Sequence, residues 1–397
     1  MNTGRPLLLV LLIALFFVLL VLIALYMPTS LPTNSDFSAI YNTDLALVHR
    51  VPIYDLEKVQ ALAVQYSGIP REKFFLARFP YPPWYALSTF YLGLLPARAA
   101  ATFWFELNLV MLFLSIWLLT QGWPVRLRLL AFPLGLFFLP VLGALSVGQY
   151  DFPVLLGTAL LIYSLRKENI ALTVLGMVLL TFKPHIGALI LLSALMWLIV
   201  QRSNFGRDLL RPLLAAGVAL LASGFLADPA WIISYPKMLL HYQNEGNVSA
   251  CSECASLPVW LSRRLLDGSL SGAAWIAIIL LCVLIGLLFL YRSLWRSPAL
   301  VLSAALLITL LVSPYLYNYD FLLLLVPFAV LIPPGNVLQK IIILLCDLVP
   351  TFALIGYGRN ANLTLIVASL VMLLLLYRRA RKPVIDVPAS AAYNTNH

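Results

Sequence analysis

The chain has 397 residues, of which 62% are hydrophobic and 11% charged, and its formal net charge is +10. Soluble domains carry about a quarter charged residues, so this composition excludes an ordinary soluble domain. Apolar runs recur from end to end, as in a polytopic helical membrane protein. The basic residues lie in short clusters between these runs, which is typical of the positive-inside rule. We therefore expect the membrane as a partner and no nucleic acid.

The first apolar run extends from Leu7 to Tyr26 and is followed by Met27 and Pro28, with no small-residue cleavage site. We therefore predict a retained transmembrane helix over Pro6–Tyr26 instead of a signal peptide. The polar segment that follows, residues 27–82, contains acids and bases in balance. Prolines interrupt this segment, so we expect short helices that lie at the membrane interface.

Residues 83–96 are apolar but short for a span, and they could either cross the membrane or lie at its surface. Charge favours the second alternative. If the segment does not cross and the N-terminus is inside, all the basic clusters fall on the inner side. These clusters are Arg126/Arg128, Arg166/Lys167, Arg202/Arg207/Arg211, Arg292/Arg296 and Arg378–Lys382. If the segment crosses, every later cluster moves outward.

This topology predicts an all-α chain with about 12 transmembrane helices, a single membrane domain over residues 1–382 and both termini in the cytoplasm. The expected spans after the first are 99–120, 129–146, 152–165, 170–182, 186–201, 212–227, 273–291, 298–312, 321–333, 338–356 and 361–377. Residues 27–98 and 228–272 form outer loops, and residues 383–397 form a disordered tail.

The four cysteines divide into two kinds. Cys282 and Cys346 lie in apolar runs, where cysteine usually serves as a small packing residue. Cys251 and Cys254 form a C-x-x-C pair in the second outer loop. We interpret this pair as a local disulfide in an oxidising compartment, because a zinc site would need a second pair.

The polar groups between spans share the outer face in this topology: Asp36, Gly148–Asp151, Lys183–His185, Asn244–Cys254 and Ser313–Asp320. Ionisable groups gathered at one membrane face are what a site at the outer leaflet needs. Asp36 is the candidate for a catalytic carboxylate, and Asp44 and Asp55 compete for that role. The alternative for Asp36 is a hydrated loop acid or a helix cap.

Lys183 lies between two apolar runs, where a lysine is costly unless it pairs or extends to the surface. Fixed by Pro184 and flanked by His185, it would suit a phosphate group as a point charge, and Lys183 and His185 are the first candidates for that role. Extension to the outer surface is the alternative. Arg78, beside the Tyr81-Pro82-Pro83 turn, is a further candidate for the phosphate.

A second set of candidates combines amide, carboxylate and aromatic side chains that could bind sugar hydroxyls: Gln149, Asp151, Tyr81, Asn318, Tyr319 and Asp320. The alternatives are a simple hairpin turn and an interfacial aromatic belt. The sequence contains no P-loop, dinucleotide fingerprint, H-E-x-x-H or G-x-S-x-G motif. It therefore has no obvious binding site for a nucleotide-linked sugar donor. We expect a lipid-linked donor, and neither a cofactor nor a metal.

Six short motifs occur in order: Ser35-Asp36-Phe37, Val51-Pro52-Ile53-Tyr54-Asp55, Tyr81-Pro82-Pro83-Trp84, Gly148-Gln149-Tyr150-Asp151, Lys183-Pro184, and Ser313-Pro314 before Tyr319-Asp320. Their order and spacing resemble the polyprenol-phosphate-mannose-dependent mannosyltransferase family, within the GT-C superfamily of integral-membrane glycosyltransferases. The resemblance runs from about residue 34 to residue 322.

The resemblance implies a GT-C-like fold, Asp36 as the catalytic base, and a sugar donor carried on polyprenyl phosphate. The expected reaction is an inverting transfer of mannose to a lipid or glycan acceptor at the outer face of the plasma membrane. Relatives that act on phosphatidylinositol mannosides tend to carry histidines near the position of Tyr319-Asp320, and this chain has none there. The resemblance therefore does not identify the acceptor molecule. A transporter or flippase of a lipid-linked sugar is the alternative, although no internal repeat is evident.

Overall fold

A computed structural model describes residues 17–30, 35–67, 79–244, 254–266, 270–333, 335–356 and 362–381. All regular secondary structure in these ranges is helical, which confirms the predicted all-α class. Arg78, Cys251 and the predicted disordered tail over residues 383–397 lie outside the described residues.

The α-helices are α1 (Phe17–Tyr26), α2 (Asp36–Val48), α3 (Leu56–Ser67), α4 (Pro83–Thr89), α5 (Ala97–Leu119), α6 (Val125–Phe137), α7 (Leu139–Val147), α8 (Asp151–Lys167), α9 (Ile170–Leu180), α10 (Pro184–Gln201), α11 (Asn204–Ala227), α12 (Trp231–Asn244), α13 (Leu257–Leu265), α14 (Leu270–Leu290), α15 (Pro298–Val312), α16 (Leu325–Leu331), α17 (Val337–Gly356) and α18 (Asn362–Ala380). Short 3₁₀ segments cover Met27–Ser30, Phe90–Leu94, Arg292–Arg296 and Asn318–Leu324.

Five of these helices are long and apolar enough to cross a membrane: α5, α10, α11, α14 and α18. The bent pair of α6 and α7 would make a sixth candidate span. Most of the other predicted spans correspond to shorter helices, such as α9 and α15. The chain is therefore confirmed as a multi-helix membrane protein, whereas the number of about 12 spans stays a prediction.

Two of the breaks between consecutive helices lie at prolines. Lys183, which precedes Pro184, has φ −125° and ψ 78°, because a residue before proline is driven out of the helical region. The predicted segments on either side of Lys183 are therefore two separate helices, α9 and α10. Phe138 is also non-helical, with φ −61° and ψ 118°, and it lies two residues before Pro140, whose missing N–H removes a helical hydrogen bond. The two helices that meet there, α6 and α7, are bent by 53°.

The first predicted outer loop is helical in its described parts, as expected from its sequence. Residues 83–96 form α4 and the Phe90–Leu94 segment instead of one long helix. This segment packs closely on α2, where Gly93 lies against the backbone of Asp44 so tightly that a side chain at Gly93 would collide with it. The depth of these helices in the membrane stays a prediction.

The core of the bundle lies along α15, in which every residue is buried. This helix packs against α10, α18 and α14. By contrast, only 11% of the apolar stretch of α11 that could cross the membrane is buried, and only 17% of that of α14. These helices present their apolar surface outward, as lipid-facing helices do. Cys282 of α14 is exposed, so its prediction as a packing residue is wrong, whereas Cys346 is buried. Cys254 is disulfide-bonded.

The two ends of the helical bundle carry different kinds of polar side chain. The start of α8 meets the start of α10 where Asp151 pairs with Lys183, and the chain leaving α15 returns there with Asp320. At the other end, the side chain of Gln201 donates a hydrogen bond to the carbonyl oxygen of Trp295, over 2.9 Å. The polar turns therefore lie at one end of the bundle and several basic clusters at the other. The compartment that each end faces stays a prediction.

The close packing of α8 on α9 can be tested through its glycines. A Cβ at Gly157 would lie 2.8 Å from the carbonyl oxygen of Gly176, and a Cβ at Gly176 would lie 2.9 Å from that of Gly157. We expect Gly176→Ala to lower the free energy of unfolding by about 1–3 kcal/mol, because the helices must separate to admit the methyl group. The measurement is thermal unfolding of the purified protein in detergent.

The matched control is Gly217→Ala in α11, where an added Cβ meets no atom within 4 Å. Alanine is favoured over glycine in a helix by about 1 kcal/mol, so this variant should be unchanged or slightly more stable. Equal melting temperatures for the two variants would contradict the packing argument.

Candidate active site

Asp36 is the first residue of α2 and is held by two side chains from a distant turn. The Gln149 side-chain nitrogen donates to Asp36 Oδ2 over 2.8 Å, and the Tyr150 hydroxyl donates to the Asp36 carbonyl oxygen over 2.8 Å. A negative charge in the first turn of a helix is also favoured by the helix dipole. The carboxylate is therefore more than a hydrated loop acid.

Gln149 is fixed in one orientation by the turn that carries it. Gly148 has φ 69° and ψ 42°, a left-handed conformation that glycine adopts without strain, and it ends α7. The carbonyl oxygen of Gly148 accepts a hydrogen bond from the Trp104 indole over 2.9 Å. The Gln149 side-chain oxygen accepts from the Tyr150 N–H over 2.8 Å. The amide nitrogen of Gln149 is thus left to face Asp36.

Lys183 is the centre of a buried group that we call the lysine clasp, made of Lys183, Asp151 and Asp320. Its Nζ lies 2.8 Å from Asp151 Oδ1 and 2.5 Å from Asp320 Oδ1. Lys183 is 2% exposed, Asp151 0% and Asp320 2%. The alternative that Lys183 extends to the outer surface is therefore wrong. A buried charge is tolerated when it is paired in this way.

The two carboxylates of the clasp differ in their remaining contacts. Asp320 Oδ2 accepts a hydrogen bond from the backbone N–H of Tyr317 over 2.6 Å and so caps the Asn318–Leu324 segment. Asp151 Oδ2 is buried and has no hydrogen-bond partner within the described part of the chain. A carboxylate oxygen of this kind can accept a bond from a ligand hydroxyl or an ordered water.

The lysine clasp joins the two turns whose neighbouring residues hold Asp36. Gln149 and Tyr150 immediately precede Asp151, and both bond to Asp36. Tyr319 precedes Asp320, and its side chain lies near enough to the Asp36 carboxylate to lower the pKa of Asp36. The clasp therefore holds the residues around Asp36 in place, although no described ion pair joins Lys183 to the Asp36 carboxylate.

Burial raises the pKa of Asp36 above its usual value, and the charge of Asp320 adds to this effect. The charge of Lys183 and the hydrogen bonds from Tyr319 and Gln149 act in the opposite sense and lower the pKa, but burial prevails. A raised pKa makes the ionised carboxylate a stronger base. Asp36 thus has the environment of a proton acceptor.

The competing acids lie in different surroundings. Asp44 is fully buried, with Oδ1 accepting from the Thr89 hydroxyl over 3.1 Å, and burial raises its pKa well above the usual value. Asp55 is paired with Lys58 at 2.8 Å at the surface, which holds the pKa of Asp55 below its usual value. Neither lies in the group around Asp36, so of these three acids Asp36 is the one that belongs to the polar group.

Aromatic rings line the polar group on two sides. The Tyr81 ring lies 4.2 Å from that of Tyr150, and the Tyr54 hydroxyl donates to the Tyr81 carbonyl oxygen over 2.7 Å. Tyr317 stacks on Tyr319 at 5.2 Å. Tyr81 is itself buried, whereas the tyrosines before Asp320 are partly exposed.

The remaining predicted site residues lie at the edge of this group. His185 is exposed, and its ring is 6.4 Å from that of Tyr315. Asn318 begins the 3₁₀ segment that contains Tyr319 and Asp320. Sequence reasoning missed Tyr150 as a contact of Asp36, although its place between Gln149 and Asp151 was a signal. Within the described residues, no group of three or more histidine, cysteine or acidic side chains is arranged to hold a metal ion.

Replacing Lys183 tests whether the lysine clasp stabilises the fold. Lys183→Met leaves two buried carboxylates without a counter-charge, and breaking such a pair costs about 3–5 kcal/mol. We expect a large drop in the thermal unfolding temperature in detergent. Replacing all three clasp residues, in Lys183→Met/Asp151→Asn/Asp320→Asn, should recover much of the loss because no buried charge remains.

The matched control is Lys58→Met, which removes a lysine from an ion pair at the surface. The Lys58 side chain is 64% exposed, and exposed ion pairs contribute little to stability. If Lys183→Met were as stable as Lys58→Met, the clasp would have no structural role.

Comparison with known proteins identifies the family. The family described as Glycosyltransferase family 87 matches residues 79–314. No curated protein and no solved structure matches the chain. The matched segment includes Gln149, Asp151 and Lys183, whereas Asp36 and Asp320 lie outside it. The match spans more than half of the chain and confirms the predicted membrane glycosyltransferase at this level. The chain belongs to glycosyltransferase family 87.

Proposed function

We propose that this membrane glycosyltransferase transfers mannose from a polyprenyl-phosphate donor to a hydroxyl group of a lipid or glycan acceptor at the outer face of the plasma membrane. The observation that carries the proposal is the Asp36 carboxylate, held by Gln149 in a polar group at one end of an apolar helical bundle. Family membership favours glycosyl transfer over the alternative of transport. The donor is proposed from the order of the sequence motifs.

In the proposed reaction Asp36 acts as the general base. Its Oδ2 accepts a bond from Gln149, which leaves Oδ1 for the acceptor hydroxyl. Asp36 takes the hydroxyl proton while the oxygen attacks the anomeric carbon. The bond from that carbon to the donor phosphate breaks, and the electron pair leaves on the phosphate with inversion at the carbon. An aligned base typically contributes about 10²–10⁴-fold to such a rate.

The leaving phosphate requires positive charge close to it. Two of the three N–H donors of Lys183 are directed at Asp151 and Asp320, and the side chain is too deeply buried to reach a phosphate outside the bundle. We therefore assign Lys183 first to positioning the turns around Asp36. His185, exposed beside the clasp, is proposed to donate a hydrogen bond to the phosphate, and Arg78 is proposed to supply the positive charge.

The sugar and the acceptor would be held by hydroxyl contacts and aromatic faces. Asp151 Oδ2 is the best candidate, because it is buried beside Lys183 and has no described partner. Asn318, Tyr319 and Asp320 follow the partly exposed Tyr317, and sugar rings pack well on aromatic faces of this kind. Tyr81 contributes through its contact with Tyr150.

The first test replaces Asp36 with asparagine in membranes supplied with polyprenyl-phosphate mannose. We expect formation of the glycosidic product to fall at least about 10²-fold, because an amide cannot accept the hydroxyl proton. Radiolabelled mannose in the extracted product measures the rate. Asp55→Asn is the matched control and should retain the parental rate, since Asp55 pairs with Lys58 at the surface.

Two outcomes separate the parts of the proposal. Near-parental transfer by Asp36→Asn would remove the proposed base, whatever the donor. Transfer from a nucleotide sugar, and not from polyprenyl-phosphate mannose, would contradict the proposed donor. The role of Asp36 would then be tested with the nucleotide sugar as substrate.

Gln149 provides a second test, because positioning and sugar binding predict different results. Gln149 lowers the pKa of Asp36 by its hydrogen bond, so Gln149→Met should raise that pKa further. A base must be deprotonated, so activity is lost as the pH falls through its pKa. We therefore expect the acidic limb of the pH profile of kcat/KM to move to higher pH, with partial recovery in alkaline solution.

The control for this experiment is Gln121→Met, just after the C-terminal end of α5, where the Gln121 side chain donates to the Trp117 carbonyl oxygen over 3.2 Å. Its profile should match that of the parent. A rise in KM for Gln149→Met with an unchanged profile would indicate direct substrate binding instead of positioning.

A further inference from the structure

Arginines from three separate parts of the chain converge at the end of the bundle opposite the lysine clasp. Arg202 follows α10, Arg292 and Arg296 precede α15, and Arg378 and Arg381 lie at the end of α18. We call these five residues the arginine patch. The Gln201 side chain bonds to the Trp295 carbonyl oxygen over 2.9 Å, and Arg381 donates to the Tyr291 hydroxyl over 2.6 Å. Folding therefore brings the three segments together.

The patch carries positive charge that other side chains do not balance. All five arginines are exposed, and within the described ranges no ion pair joins any of them to a carboxylate. The acids at this end, Glu168 and Asp208, are exposed and make no described ion pair either. Like charges held close together repel each other, and a bound anion relieves that repulsion.

The position of the arginine patch along the bundle axis indicates which class of anion it could bind. It lies at the ends of three candidate membrane spans, α10, α14 and α18. Helices of this length end where lipid headgroups begin. The rings of Tyr291 and Tyr377 lie 4.5 Å apart beside the patch, and tyrosines are typical of the membrane interface.

We propose that the arginine patch binds the phosphate groups of anionic lipids. Guanidinium groups bind phosphate through paired hydrogen bonds, and clusters of basic residues at the ends of membrane helices attract anionic headgroups. The positive-inside rule accounts for arginines on one side of a membrane, but not for their convergence from three segments. The patch is at the opposite end from Asp36, so this lipid is distinct from the substrates proposed above.

The test compares two variants of the full chain that each lose two charges. Arg292→Gln/Arg296→Gln removes part of the patch. The control, Arg98→Gln/Arg264→Gln, removes two exposed arginines near the other end of the bundle. Arg98 lies at the start of α5 and Arg264 lies in α13. The Ser256 hydroxyl, which caps α13, donates to the carbonyl oxygen of Ser313 over 2.7 Å and so places α13 at that end. Each protein is exchanged into mixed micelles of phosphatidylglycerol and phosphatidylcholine, and retained lipids are counted by native mass spectrometry.

We expect the patch variant to retain about tenfold less phosphatidylglycerol than the parent, and the control variant to match the parent. Equal losses in both variants would indicate attraction by net charge and would overturn the proposal, as would no loss in the patch variant. Inorganic phosphate at the same concentration distinguishes the source of the anion. If it displaces the lipid, the patch is a site for free phosphate. Arg378→Gln/Arg381→Gln provides a second patch variant if the first does not fold.

Discussion

The pairing of Lys183 with Asp151 and Asp320 is the interaction on which the polar end of this bundle depends. Three charged side chains lie inside an apolar protein, where each alone would be strongly unfavourable. Their mutual attraction requires the start of α8, the break before α10 and the return of the chain after α15 to meet at one point. The position of these helix ends and the conformation of the adjoining turns are therefore linked.

The surroundings of Asp36 follow from the same constraint. The turns that carry Asp151 and Asp320 also carry the residues that contact Asp36, so Asp36 and the clasp form one assembly built from four distant parts of the chain. Gly148 permits the sharp turn before Gln149, and Trp104 anchors it through a hydrogen bond. Rigid neighbours of this kind hold a carboxylate in one orientation, which the proposed role of Asp36 as a general base requires.

Much of the helical architecture could be predicted from the sequence. The expected segment 298–312 coincides with α15, and 99–120 agrees with α5 to within two residues. Long apolar runs favour helices wherever water is excluded, so their positions are local properties. The bend at Phe138 was not predicted, nor was the division of the segment 321–333 between a 3₁₀ segment and α16. Such breaks depend on contacts with neighbouring helices as well as on the residues themselves.

The sequence by itself determined that the chain is an all-α membrane protein, and that polar turns and basic clusters alternate along it. These properties depend on hydropathy and on local spacing. Only the tertiary structure decided that Lys183 pairs inside the protein instead of reaching the surface, that Asp36 and not Asp44 or Asp55 joins the polar group, and that the arginines converge. Each of these outcomes depends on which distant segments meet, because a charge in an apolar bundle is governed by its neighbours in space.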